Sequence, residues 1–161
     1  MQKKVKAIPE GYHTVTPYLA VKGAAKAIEF YKEAFGAKKI ELHHSPDGSI
    51  MHAVLKIGDS LVMLSDEFPQ SSCGMASPQA LKGSTVVLHI YVENADAVFN
   101  KAVKAGAAVI RPMEDQFWGD RYGQVKDPFG HLWSIATHTA DLNQEEMDAG
   151  AEQFFSQHAK E

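Results

Sequence analysis

Apolar positions along the chain change period in a fixed order. Val15-Thr16-Pro17-Tyr18-Leu19-Ala20-Val21 reads as a strand. From Ala24 to Phe35 the period lengthens: Ala24, Ala27, Ile28, Tyr31, Ala34 and Phe35 repeat at i, i+3, i+4, i+7, while Lys26, Glu29, Lys32 and Glu33 take the other side. This is the pattern of an amphipathic helix, closed by Gly36-Ala37. Strands follow at 39–44, 50–57 and 60–65, joined by turns at Ser45-Pro46-Asp47-Gly48 and Gly58-Asp59. The order is βαβββ.

The same order then recurs. Val86 to Val92 reads as a strand and Ala95 to Ala105 as a helix closed by Gly106-Ala107. Strands follow at 108–111, 121–126 and 131–138, with a turn at Asp127-Pro128-Phe129-Gly130. Val87 follows Thr16, and Ser134 follows Met63, by the same 71 positions. Solenoid repeats recur at about 20–50 residues, so this spacing points to a duplicated supersecondary unit. The expected fold class is α+β: one domain over 1–139 built of two repeats, about 13–66 and 84–138. Two such units leave a cleft between them, where a ligand is expected. Residues 1–13, with Pro9 and Gly11, read as an irregular lead-in. The linker 67–83 carries Pro69, Gly74, Pro78 and Gly83, which preclude a long helix. The tail 140–161 reads as helical, with Asn143 as N-cap and an apolar stripe of Met147, Ala151, Phe154 and Phe155 that needs a surface to cover.

Composition narrows the function classes. An apolar share of 45% is enough for a core. The net charge is −4, and Lys is scattered, which argues against a nucleic-acid partner. No apolar run reaches the roughly 18 residues of a membrane span, and no apolar stretch follows the basic start. The lone Cys73 can form no internal disulfide. A cytoplasmic protein is expected.

The helix AAKAIEFYKEAFGA, the doubled βαβββ order and the ending FWGDRYGQVKDPFGHLWSIATH together resemble the vicinal oxygen chelate superfamily, which holds glyoxalase I, extradiol dioxygenases, fosfomycin-resistance enzymes and bleomycin-binding proteins. The similarity is strongest to its glyoxalase-like, PhnB-like branch and covers about residues 13–142. It implies that each repeat curls into a half-cup, that the two half-cups enclose one cavity, and that homodimers form. In metal-dependent members, His and Glu ligands stand on the first and last strands of each repeat. Alignment puts Thr16, Met63, Val87 and Ser134 at those places. None suits a hard or borderline divalent ion, so neither metal nor other cofactor is expected.

Other residues carry candidate chemistry. Strand alternation places His89 and Tyr91 on the face of Val87, and Tyr18 is the counterpart of His89. His89 and His52 are the candidate general bases; the alternative for His89 is a half-buried imidazole satisfied by a neighbour, and for His52 a place on an outer face rather than an open cup face. His43 and His44 point to opposite faces and cannot chelate together. In Phe117–Gly123, Trp118 and Tyr122 can stack on a ligand and Arg121 can bind an anion; the alternative is an Asp120–Arg121 surface pair with Trp118 plugging the sheet. His131 and Trp133 share the face opposite Ser134, so Trp133 is expected in the core. The expected ligand contacts are Tyr18, Tyr91, Trp118, Arg121, Tyr122, Met63 and Ser134. The expected function is a glyoxalase- or bleomycin-resistance-like protein holding a small organic molecule without metal. The alternative is a glyoxalase-type lyase or isomerase, or another metal-dependent enzyme of the superfamily.

Overall fold

Each apolar helix stripe closes on one face of a four-stranded sheet, in a computed structural model that describes residues 5–68 and 75–158. Cys73 lies outside the described residues. The chain divides into two compact units. One runs to Thr85 and adds Pro128–Gly130; the other holds Val86–Asp127 and the chain from His131 onward.

In the first unit, β1 (Tyr18–Val21) leads to α1 (Ala24–Phe35), then β2 (Lys38–His44), β3 (Ile50–Ile57) and β4 (Ser60–Asp66). The sheet order is β1-β4-β3-β2, with β1 and β4 parallel and the rest antiparallel. β1 starts only after Pro17, which has no N–H for a ladder. Leu19, Ala53, Leu55, Val62 and Leu64 are buried on the α1 face, together with Ala27, Ile28 and Tyr31 of the helix. Gly36 ends α1 in the left-handed region at φ 65°; its N–H donates to Lys32 O, and the N–H of Ala37 donates to Tyr31 O. Phe30 and Tyr31 also meet Phe129, with ring centroids 6.2 and 6.3 Å apart. Among the described linker residues a short α2 forms (Pro78–Leu81), capped by Ser77 Oγ.

The second unit repeats the plan: β5 (Val87–Tyr91), α3 (Ala95–Lys104), β6 (Ala108–Asp115), β7 (Asp120–Lys126) and β8 (Leu132–His138), in sheet order β5-β8-β7-β6. β6 runs four residues beyond the sequence expectation, through an irregular stretch where its register with β7 shifts. Trp133 is 1% exposed on the α3 face, and its indole N–H donates to Asp127 Oδ2 at 2.9 Å. On the same face α3 approaches so closely that a Cβ on Gly123 would sit 2.9 Å from Phe99 Cε2. α4 (Gln144–His158) starts with a reciprocal cap: Asn143 Oδ1 accepts from the N–H of Glu146, and Glu146 Oε2 accepts from the N–H of Asn143. The stripe of α4 meets the loop between β6 and β7, with Phe154 5.7 Å from Phe117 between centroids, while Phe155 stays exposed.

The two units solve one capping problem with different residues. The N-cap of α1 is Gly23, which has no side chain to give. Asp66, at the end of β4, supplies the acceptor: Oδ1 takes the N–H groups of Gly23 (3.0 Å) and Ala24 (2.8 Å), and Oδ2 takes that of Ile50 (2.8 Å). Its repeat counterpart, Thr137, accepts from the N–H of Ala95 (2.8 Å) and donates to Val92 O (2.7 Å), while Asn94 caps α3 itself.

Asp66→Ala strands three part-buried N–H groups at once and should cost about 2–4 kcal/mol. Thr137→Val should cost about 1 kcal/mol, because Asn94 still caps its helix. Urea unfolding of the two variants checks the order; equal losses would contradict it.

Candidate functional site

Because neighbouring strand residues alternate between faces, each sheet has a second face that α1 or α3 does not cover. In the first unit the β1–β4 register sets Tyr18 beside Met63, and the β3–β4 register sets Val54 beside Met63. His52, two residues before Val54, therefore shares this face. The Tyr18 hydroxyl and His52 Nδ1 share a hydrogen bond at 2.9 Å, and their rings meet edge-on at 5.4 Å. His43 stacks on His52 at 6.2 Å, and its Nε2 lies 3.9 Å from Glu41 Oε2. His44 instead turns to Gly48 O at 3.2 Å.

The corresponding face of the second unit is richer. The β5–β8 register sets His89 beside Ser134, and His89 Nδ1 shares a 2.7 Å hydrogen bond with Ser134 Oγ. Tyr91 meets the imidazole edge-on at 4.6 Å, and Tyr122 stacks against it at 6.1 Å. Ser134 is 2% exposed, too deep to act as a nucleophile but well placed to orient the ring.

Beside His89 lies a hub that sequence reading had not singled out as a site. Asp120, 3% exposed, accepts from the Tyr91 hydroxyl (2.9 Å) and the Trp118 indole N–H (3.0 Å) on Oδ2, and pairs with His138 Nδ1 (2.9 Å) on Oδ1. Trp118 rests edge-on against Tyr122 at 5.6 Å. The loop that carries it turns at Gly119, φ 90°, where a Cβ would collide with Ala140 O. Burial opposes the Asp120 charge, but the bonds from His138, Tyr91 and Trp118 outweigh it and hold the carboxyl below its ordinary range. The same bond to Asp120, with burial, raises Tyr91 above its usual value.

Arg121 does not join this group. One residue beyond Asp120, it points to the other face, where Nε and Nη2 donate to the two oxygens of Asp96 at 3.0 and 2.8 Å; Asp115 lies 3.5 Å from Nη1. Parity along β7 thus also separates Asp120 from Arg121, and the two do not pair with each other. Among the remaining expected contacts, Tyr18, His52 and Met63 gather on the open face of the first unit. His89, Tyr91, Trp118, Tyr122 and Ser134 gather on that of the second.

The strand register also shows which residues stand side by side on the first and last strands of each unit. Tyr18, not Thr16, is opposite Met63; His89, not Val87, is opposite Ser134. Aligning loop junctions counts residues but does not show which ones the pleat makes neighbours. Even so, a phenol with a thioether, and an imidazole with a hydroxyl, are poor donor pairs for a divalent ion. Among the described residues no cluster of three or more His, Cys, Asp or Glu side chains could hold a metal.

His138 bridges Asp141 (3.0 Å, from Nε2) and Asp120, and these two bonds raise it above the ordinary 6.5. Asp141 is fully exposed and screened by solvent and salt, whereas Asp120 is buried, so the Asp120 share should survive in salt. A raised imidazole adds stability that is complete below its unfolded value and fades as pH rises through the folded one; a depressed Asp120 adds stability that is lost as pH falls through its folded value. The cluster should thus contribute most between the ordinary values of 3.8 and 6.5. NMR titration in salt should find His138 still raised in Asp141→Asn and back near its ordinary value in Asp120→Asn; the reverse pattern would place the effect on the surface.

Comparison with known proteins agrees with this architecture. The protein Mb0911c of Mycobacterium bovis is 44% identical over 136 residues, covering 84% of this chain and 90% of its own. The X-ray structure of the Arabidopsis thaliana gene product At5g48480 superposes with a TM-score of 0.61 at 30% identity, over 78% of this chain and 98% of that one. The PhnB protein of Bacillus cereus shares the fold, with a TM-score of 0.60 at 18% identity, over 78% of this chain and 99% of that one. The family model described as Glyoxalase/Bleomycin resistance protein/Dioxygenase superfamily matches residues 12–135. With that span and the doubled βαβββ fold, the chain belongs to the glyoxalase/bleomycin resistance protein/dioxygenase superfamily.

Proposed function

We propose that the chain binds a small organic molecule against the open sheet face of the second unit, without the metal of its enzymatic relatives. The carrying observation is the His89 imidazole, oriented through Nδ1 by Ser134 at 2.7 Å and flanked by the rings of Tyr91 and Tyr122. A planar or apolar ligand body fits such rings, and His89 Nε2, which has no partner among the described residues, supplies one directional hydrogen bond. Trp118 borders the same surface. Its emission should respond to ligand, and the response should vanish in Trp118→Phe, since Trp133 is buried on the far face.

The same imidazole supports a second reading. With Nδ1 held, Nε2 can take a proton from a bound carbon or oxygen acid, as a lyase or isomerase of glyoxalase type requires. Turnover by the wild-type chain that is lost in His89→Gln would favour this reading; ligand binding without turnover favours the first. In both readings the protein is placed in the cytoplasm. No helix among the described residues is long and apolar enough to cross a membrane.

Protein purified without chelator should hold well under one equivalent of zinc, nickel, manganese or iron. Added metal should leave Tm unchanged, because a tight ligand would stabilise the fold by mass action. A full equivalent lost on changing His89 or His52 to Ala would make both imidazoles ligands and overturn the metal-free reading. The exposed Phe155 and the family's habit of pairing support a homodimer, for which light scattering should return about twice the 17.6 kDa chain mass.

A further inference from the structure

The first unit carries its own cavity, whose lining residues all belong to that unit, and it is independent of the function proposed for His89. The lead-in before β1 is folded. Pro9 O accepts from the N–H of Tyr12, and Gly11 supplies the positive φ of 82° that this turn requires. Thr16 Oγ1 donates to His13 O at 3.3 Å. The turn lies over the open sheet face: a Cβ on Gly11 would stand 3.7 Å from Leu61 Cδ1, and Leu61 shares its face with Met63. Between this segment and the sheet lies a cavity of about 480 Å³, lined by Ala7, Ile8, Tyr12, His13, Glu41 and Met63 among others. That volume is in the range of small-molecule sites, about 300–1,000 Å³.

The lining has a polarity. Ala7, Ile8, Pro9, Tyr12 and Met63 form an apolar wall. Ile8 is 52% exposed, an apolar side chain that the described residues leave half uncovered. Among the described residues of the lining, Glu41 is the only acidic or permanently charged group. Among the described residues it has no Lys or Arg partner; its only ionic neighbour is His43 Nε2, at 3.9 Å and charged only when protonated. An apolar pocket with one carboxylate lacking a strong counter-ion favours a ligand of matching shape, an apolar body with a cationic head. The Tyr12 ring adds a face that a cation can approach.

We propose that this cavity is a binding site for a small hydrophobic amine, with its ammonium group on Glu41 and its apolar body between the lead-in segment and Met63. Three probes of one shape separate the contributions: phenylbutylamine, phenylbutanol and phenylbutyrate. Titration of the full-length chain, followed by Met methyl and amide NMR, should show the amine shifting Ala7, Tyr12 and Met63. It should bind about tenfold or more tighter than the alcohol, and the acid should bind weakest. Glu41→Gln, at an exposed position where folding is not at stake, should remove the preference for the amine while leaving alcohol binding intact. His89→Gln should change none of this, so failure here and failure of the His89 reading are separable. Equal affinity for amine and alcohol, an amine preference that survives Glu41→Gln, shifts confined to other residues, or no binding of any probe at millimolar concentration would each overturn the proposal.

Discussion

One helix covers one face of a four-stranded sheet in each unit, and the chemistry of the chain follows from that coverage. Pleat parity sorts every strand residue to the helix side or the open side. The helix side must be apolar, and it is: Leu55, Leu64 and Val54 of the first unit and Trp133, Ile135 and Val125 of the second are among the most buried side chains, with only Val54 on the open face. The open side is released from that demand. There the chain places imidazoles, phenols and carboxylates in a spacing set by strand pairing rather than by sequence proximity. A one-residue slip of β7 would exchange Asp120 and Arg121 between faces and dismantle both of their networks.

Duplication set two copies of this frame, and the copies have diverged residue by residue. Tyr18 beside Met63 in one becomes His89 beside Ser134 in the other. The Tyr18–His52 pair finds its counterpart in His89 stacked on Tyr122, with phenol and imidazole exchanged between strands. The cap for the helix passes from the carboxylate of Asp66 to the hydroxyl of Thr137. Architecture is thereby conserved between the copies while the donors on the open faces are not. This is what a fold that hosts several chemistries requires.

Much of this was legible in the residues. The change of period from 2 to 3.6 and back gave the elements, and Gly36-Ala37 and Gly106-Ala107 marked both helix ends. Parity correctly grouped His89 with Tyr91 and set Trp133 opposite Ser134. The hub at Asp120 was not legible, because its partners come from β5, from the loop before β7 and from the end of β8, and only the ladder shows that they converge. A signal did exist. An acid between aromatic residues in Phe117–Gly123 has few reasons to be there unless those rings, or others, donate to it. Arg121 was read as available to an anion because Asp96, 25 positions earlier on α3, gives no local sign of pairing with it. The folded lead-in was equally hidden: Pro9 and Gly11 marked an irregular segment, but not the turn it makes or the sheet face it covers.

The central claim is that the open face of the second unit, built on His89, receives the ligand. Its most direct test is imidazole nitrogen NMR of the full-length chain with the tightest ligand found in a screen of small aromatic compounds. The ring nitrogens of His89 should shift on binding, while those of His131, just before β8 and in phase with the buried Trp133, should stay where they are. A ligand that moves His131 and leaves His89 untouched would contradict the account.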